Sequence, residues 1–292
     1  MIYTGRFAPS PTGPLHFGSL LAALASFLDA RAHQGRWLLR IEDLDPPREM
    51  PGATENILSC LERFGLHWDG EIVKQSDRSE LYQQTIQQLL QLQQAYRCNC
   101  SRQQIKQRSG RSQYDRHCFF NPPATDQQCA IRCRCDSDIP FQDRILGWQQ
   151  FPELQDDFVI FRRDKLFAYQ LAVTVDDAAQ NISHIVRGSD LLNSTPKQLY
   201  LQQVLGYQQP CYAHIPVATN AQGQKLSKQT FAKPLDQQMP SPQLWQALNF
   251  LGQQPPSEML NCPVEELLQW AIQHWEINRV PACTAIEWSA KA

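Results

Sequence analysis

Arg6-Phe7-Ala8-Pro9-Ser10-Pro11-Thr12-Gly13-Pro14-Leu15-His16-Phe17-Gly18-Ser19 is the stretch whose reading decides the fold. Tyr3 to Ala8 reads as a short strand and Pro9 to Pro14 as a tight loop. A helix from Gly18 to Gln34 follows, then a strand from Trp37 to Ile41 that runs into the acidic Glu42-Asp43-Leu44-Asp45 and stops at Pro46 and Pro47. Strand, loop, helix, strand opens a βαβ unit and predicts an α/β fold around a parallel sheet. Three prolines fix the loop backbone, and Gly13 and Gly18 let backbone approach a ligand closely. The free N–H groups and dipole at the start of the helix make an anion site, and His16 stands one turn away, able to hydrogen-bond a phosphoryl oxygen. On its own the stretch reads equally well as a Pro/Gly turn carrying a surface histidine.

A second feature shifts that balance. Lys225-Leu226-Ser227-Lys228 follows the turn-like Asn220-Ala221-Gln222-Gly223. Two lysines three apart on a mobile loop can bracket a polyphosphate and stabilise the charge that builds as pyrophosphate leaves. Lysine-serine runs are common on surfaces, so the pair of motifs carries the signal and neither does so alone.

Around these motifs the chain is that of an ordinary globular protein. Its 292 residues are 42% hydrophobic and 10% aromatic, enough for a full core. The apolar run Leu20 to Leu28 is far too short to span a bilayer and lacks the flanks of a signal peptide, so a cytoplasmic protein with no membrane partner is expected. A monomer is the working expectation, although the sequence does not give the oligomeric state. A formal charge of −2 excludes nucleic-acid binding by bulk charge; an RNA partner would need a local basic surface. Helices are predicted over Thr54 to Phe64, Ser79 to Gln94, Leu244 to Leu251 and Val264 to His274, and strands over Phe158 to Phe161 and Ile182 to Val186. The final dozen residues are expected to be loosely held. Residues 98–160 lose periodicity and gain Cys, Pro, Asp and Arg, the pattern of an inserted unit. Ten cysteines without an export signal argue against disulfides. Cys98, Cys100 and Cys118, with Cys129, Cys133 and Cys135, have the crowding of a metal site, and by residue chemistry alone Cys129 or Cys133 would complete it.

Taken together, Pro9 to Ser19 and Lys225 to Lys228 resemble the two signatures of the class I aminoacyl-tRNA synthetases in their glutamate-type form, with Leu226 where methionine is commoner and Ser19 where the general pattern has a second histidine. Arg40-Ile41-Glu42-Asp43-Leu44-Asp45-Pro46 and Val186-Arg187-Gly188-Ser189-Asp190-Leu191-Leu192-Asn193-Ser194-Thr195-Pro196 also resemble glutamyl-tRNA synthetase segments, in the right order, over residues 3–236. The resemblance implies a Rossmann-type catalytic domain that makes glutamyl-adenylate from L-glutamate and ATP with Mg²⁺. His16, Gly18 and Lys228 would hold the ATP, with Lys225 in the same catalytic set. Arg6, Phe7, Ala8, Pro9, Ser10, Glu42, Tyr169 and Arg187 would hold the glutamate. Residue chemistry agrees: a molecule with two carboxylates and one ammonium calls for two cationic forks and one anion, which Arg6, Arg187 and Glu42 supply at strand ends, although any one of them could be an ordinary salt bridge.

The same resemblance divides the chain into a discontinuous catalytic domain (1–97 and 160–215), an insertion (98–159) and a second-signature loop with a short helical region (216–292). Only residues 229–292 follow Lys228, too few for a helical anticodon-binding region. This length resembles a shortened branch of the family, the glutamyl-Q enzymes, which transfer glutamate to queuosine in the anticodon of tRNA(Asp). In that branch Cys98, Cys100, Tyr114 and Cys118 match a structural Zn²⁺ set. A truncated enzyme charging a tRNA 3′ end, or an idle RNA- or partner-binding homologue, are the rival readings.

Overall fold

The computed structural model describes residues 2–110, 114–137, 139–152, 156–226 and 233–288. The opening βαβ unit is as the loop predicts. β1 (Thr4–Phe7) leads through α1 (Phe17–Ala32) to β2 (Arg36–Ile41), which lies parallel to β1 with Thr4 opposite Arg36 and Phe7 opposite Leu39. A helix apolar on every side has no solvent face, and α1 buries Leu20, Leu21, Ala23, Leu24, Phe27 and Leu28 together. The turn back to β2 passes so close to β1 that a Cβ on Gly35 would sit 2.5 Å from the Tyr3 carbonyl oxygen. Only glycine fits there.

From β2 the chain runs through α2 (Ala53–Arg63) to the short parallel strand β3 (Val73–Lys74). A second set of strands continues on the other side of β1. β9 (His184–Gly188) leads through α7 (Thr195–Leu205) to its parallel neighbour β10 (Cys211–Ile215), and β10 pairs in parallel with β6 (Phe141–Asp143), itself hairpinned to β7 (Gly147–Gln149). Ser183, just before β9, stitches the two sets: its N–H donates to the Thr4 carbonyl (2.9 Å) and its Oγ accepts from the Thr4 N–H (2.8 Å). Across the molecule the order is therefore β7-β6-β10-β9, then β1-β2-β3. Chain connections run outward in both directions from the β9/β1 boundary. That is a topological switch point, and open α/β sheets bind ligands at the carboxyl ends of the strands beside it.

A smaller antiparallel sheet, β4 (Ala95–Cys98), β5 (Ala130–Cys133) and β8 (Phe158–Phe161), packs its buried face with α3 (Ser79–Gln91), α6 (Tyr169–Ala179) and α7. α4 (Arg102–Ser109) and the single turn α5 (His117–Phe120) lie beyond it. α8 (Pro240–Phe250) and α9 (Val264–His274) close over α1.

Two expectations need correction. β6 and β7 fall inside 98–159 yet belong to the main sheet; strands of three residues are too short for periodicity to register. The last residues are not loose as far as Trp288: β12 (Ala285–Glu287) pairs with β11 (Val217–Thr219), and Trp288 stacks on Phe17 with ring centroids 3.9 Å apart. Among the described residues no helix is long and apolar enough to cross a membrane.

Candidate active site at the switch point of the sheet

A cleft of about 810 Å³ opens over the carboxyl ends of β1 and β9. Its lining includes Arg6, Phe7, Ala8, Pro9, Ser10, His16, Gly18, Glu42, Tyr169, Arg187 and Lys225, so residues from both halves of the chain meet in one place. Lys228 lies outside the described residues. The proline loop is knitted to the exit of β2: Glu42 N–H donates to the Pro9 carbonyl (3.0 Å) and Met50 N–H to that of Pro11 (3.0 Å).

His16 is the N-cap of α1. Its Nδ1 accepts the Ser19 N–H at 3.3 Å. A ring nitrogen that accepts carries no proton, so neutral His16 holds its proton on Nε2 and presents a donor. A Cβ on Gly18 would stand 3.2 Å from the His16 ring and 3.4 Å from the Leu226 carbonyl oxygen, so the missing side chain is what lets the two signature segments close on each other. Lys225 reaches the cleft edge ion-paired to Asp190 at 2.6 Å, and Leu226 N–H is tied to the Ala218 carbonyl at 2.8 Å.

The glutamate-type residues rest on a buried charge network. Arg6 is held side-on by Asp177 of α6 through two bonds of 3.1 Å, and Arg40 bonds the same carboxylate at 2.9 Å. Burial opposes the charge of Asp177, yet Arg6 and Arg40 hold its carboxyl below the ordinary range. Asp176 beside it accepts from Arg78 (2.6 Å), Gln75 (2.7 Å) and Tyr82 (2.8 Å). Glu42 takes a longer 3.3 Å contact from Arg40, and burial raises its pKa despite Arg40 and Arg6. The Tyr169 hydroxyl is likewise pushed up, by burial and then by Glu42. Asp176 and Asp177 carry no motif; their one signal is two acids in the otherwise apolar run from Leu171 to Ala179.

Arg187, only 4% exposed, is held differently. One terminal nitrogen donates to Thr195 Oγ1 (2.8 Å) and weakly to the Leu191 carbonyl (3.4 Å), while the other, Nη1, is buried with no hydrogen-bond partner. Among the described residues no carboxylate pairs with it. A buried cation without an acid is expensive unless a ligand supplies one.

Away from the cleft, the thiols of Cys98, Cys100 and Cys118 lie within 4.8 Å of one another. The Tyr114 hydroxyl joins them, 3.3 Å from the Cys98 sulfur and 3.7 Å from that of Cys100. Cys129, Cys133 and Cys135 are not part of this group; Cys133 and Cys135 are buried in the core under the small sheet. Arg108 and Arg132 donate to the Cys100 and Cys98 sulfurs at 3.1 and 3.3 Å. The Cys100 and Cys118 sulfurs stand 3.3 Å apart, closer than the roughly 3.8 Å between sulfurs around a tetrahedral zinc, so the three thiols form a cluster that could hold a metal ion once they spread by a few tenths of an ångström.

The model of tRNA synthetases class I (E and Q), catalytic domain, matches residues 3–269. A glutamyl-Q tRNA(Asp) synthetase of Ectopseudomonas mendocina is 51% identical over 96% of this chain and 95% of its own length, and one of Vibrio cholerae is 47% identical over 98% and 94%. A crystal structure of a glutamate-tRNA synthetase from Elizabethkingia anophelis superposes with a TM-score of 0.83 at 26% identity, covering all of this chain and 69% of that one. The chain belongs to the class I tRNA synthetase family of the glutamate and glutamine type.

Proposed function

We propose that the protein activates L-glutamate with ATP, without needing tRNA, and transfers the glutamyl group to queuosine in tRNA(Asp). The observation that carries the reading is the buried Arg187, which no carboxylate pairs directly among the described residues, lining a cleft that also holds Arg6 and Glu42. Two cations and one anion match the two carboxylates and one ammonium of glutamate. In the first step a carboxylate oxygen attacks the α-phosphorus of ATP, the bond to the β-phosphate oxygen breaks, and pyrophosphate leaves. That chemistry needs positioning and charge stabilisation and no side-chain nucleophile. His16 Nε2–H, the N-terminus of α1 beside Gly18, and Lys225 with Lys228 serve the phosphates, whose other counter-ion is Mg²⁺. In the second step a queuosine hydroxyl attacks the activated carbonyl and AMP leaves.

The acceptor is supported by relatives named glutamyl-Q tRNA(Asp) synthetase that match over nearly their whole length. Cys98, Cys100, Tyr114 and Cys118 would hold one structural Zn²⁺ that staples a cluster with little core of its own, Ile105 being its other buried member. The inserted unit is best drawn as α3 to β5 with β8, leaving β6 and β7 to the catalytic sheet.

Glutamate-dependent ATP–pyrophosphate exchange without tRNA tests the first half, and no exchange would overturn it. Charging of tRNA(Asp) with and without queuosine tests the second; charging indifferent to queuosine would favour transfer to the 3′ end.

A further inference from the structure

Arg187 has a second set of partners that no motif announces. Its Nε–H donates to His214 Nε2 at 3.1 Å, and His214 Nδ1 lies 2.6 Å from Asp143 Oδ2. The three residues sit on adjacent strands: Arg187 on β9, His214 opposite it on β10, and Asp143 on β6. Both His214 and Asp143 are completely buried. Asp143 Oδ1 accepts three backbone N–H groups, from Ile145 (2.9 Å), Leu146 (2.9 Å) and His214 (3.3 Å). Burial opposes ionisation of Asp143, but these bonds and His214 hold its carboxyl below the ordinary range. Burial also keeps His214 neutral, outweighing the pull of Asp143.

With one proton to place, the imidazole can satisfy both neighbours in one way only. Nδ1–H donates to the carboxylate and bare Nε2 accepts from the guanidinium. Thr195 Oγ1, 3.1 Å from the same Nε2 and bonded to Arg187, completes the cradle. The acid that balances Arg187 therefore stands one imidazole away. A carboxylate bonded directly to Arg187 would compete with the ligand for its donors; the relay holds the guanidinium through Nε and leaves Nη1 without a hydrogen-bond partner among the described residues.

We propose that His214 and Asp143 are positioning residues for substrate selection, with Asp143 fixing the tautomer by which His214 aims Arg187 at a carboxylate of glutamate. The inference rests on the glutamate reading of the cleft.

Asp143→Asn is the sharpest test. The amide oxygen can keep the three backbone bonds, while its N–H₂ faces Nδ1 and drives the imidazole proton onto Nε2, where it opposes the Arg187 N–H. The KM for glutamate in exchange should rise about tenfold or more, with the KM for ATP within about twofold of wild type. His214→Leu should act alike, and His214→Gln, whose amide oxygen can accept from Arg187, should recover part of the loss. Glutamate titrations followed by calorimetry on the two His214 variants, with thermal melts to establish folding, give the same reading if Asp143→Asn does not fold. A glutamate KM within about twofold of wild type in Asp143→Asn and His214→Leu, or equal losses for ATP and glutamate, would overturn the relay. Wild type without glutamate-dependent exchange would instead sink the underlying reading.

Discussion

Arg6 and Arg187 end adjacent parallel strands, are equally buried at 4% exposure, and face one cleft, yet the fold treats them in opposite ways. Arg6 is clamped by a carboxylate that it shares with Arg40. Arg187 is surrounded by an imidazole, a hydroxyl and a carbonyl, all neutral. The first arginine is tied directly to an acid of α6; the second meets its acid, Asp143, only through His214. Equal burial thus hides different work, and the difference lies in the partner.

The largest effect is expected from breaking the first arrangement. Asp177→Ala leaves Arg6 and Arg40 buried with their shared acid gone, a loss of about 3–5 kcal/mol. Denaturant unfolding should show that loss; a change under about 1 kcal/mol would mean that water or Glu42 takes over the role. Arg187→Leu should do the reverse. Thr195 Oγ1 and His214 Nε2 already lie 3.1 Å apart and can bond each other, so stability should hold within about 1 kcal/mol. Glutamate-dependent exchange should fall about a hundredfold or more, as loss of a buried charge-paired contact does. Equal loss of stability in both variants would erase the distinction.

Sequence reading reached Arg6, Glu42 and Arg187 because each flanks a motif at a strand end, where local pattern and ligand geometry coincide. It did not reach what holds them. Asp177 is 171 residues from Arg6 in the chain, and Asp143 is 71 from His214. Such pairings are set by strand order, and strand order is not local information. β6 is the clearest case: three residues give no period, its neighbours look like insertion, and yet it carries Asp143 into the main sheet. The parallel fold was legible because βαβ units write strand, loop and helix consecutively. Tyr114 beside Cys98, Cys100 and Cys118 was reached through family likeness, since residue chemistry alone would have chosen a fourth cysteine.

The cysteine cluster lies apart from both arginines. Protein purified without chelator should contain about one zinc per chain, and Cys100→Ser should lose it along with several degrees of melting temperature. Exchange without tRNA should fall by less than about threefold, because the arginine partners lie on α6, α7 and the main sheet. Wild type without zinc would refute the site. A smaller effect is expected at Gly18. An added methyl 3.2 Å from the His16 ring displaces the cap, so Gly18→Ala should raise the KM for ATP a few-fold, while the lost cap and the better helix propensity of alanine roughly offset in the melting temperature. An unchanged KM for ATP would remove His16 from the phosphate site.

The subtlest comparison is by pH, because the two carboxylates bonded to Arg40 should titrate in a fixed order. Glu42, raised by burial, takes up a proton at a higher pH than an ordinary glutamate. If Glu42 is the anion that meets the substrate ammonium, as proposed, that proton neutralises it and the KM for glutamate should climb on mild acidification. That same shift means the folded chain holds this proton more tightly than the unfolded chain, so protonating Glu42 does not weaken the fold. Asp177 has the opposite sign. Its stabilisation is present above the unfolded carboxylate pKa and is lost only as pH falls through its depressed folded value. Binding should therefore fade before structure does, with KM rising while circular dichroism is still native. Glu42→Gln, which lacks the titrating group, should show a KM that is high throughout and less dependent on pH, which separates Glu42 from the substrate's own carboxyls. A wild-type KM that stays flat until the protein unfolds would show that Glu42 does not face the ammonium.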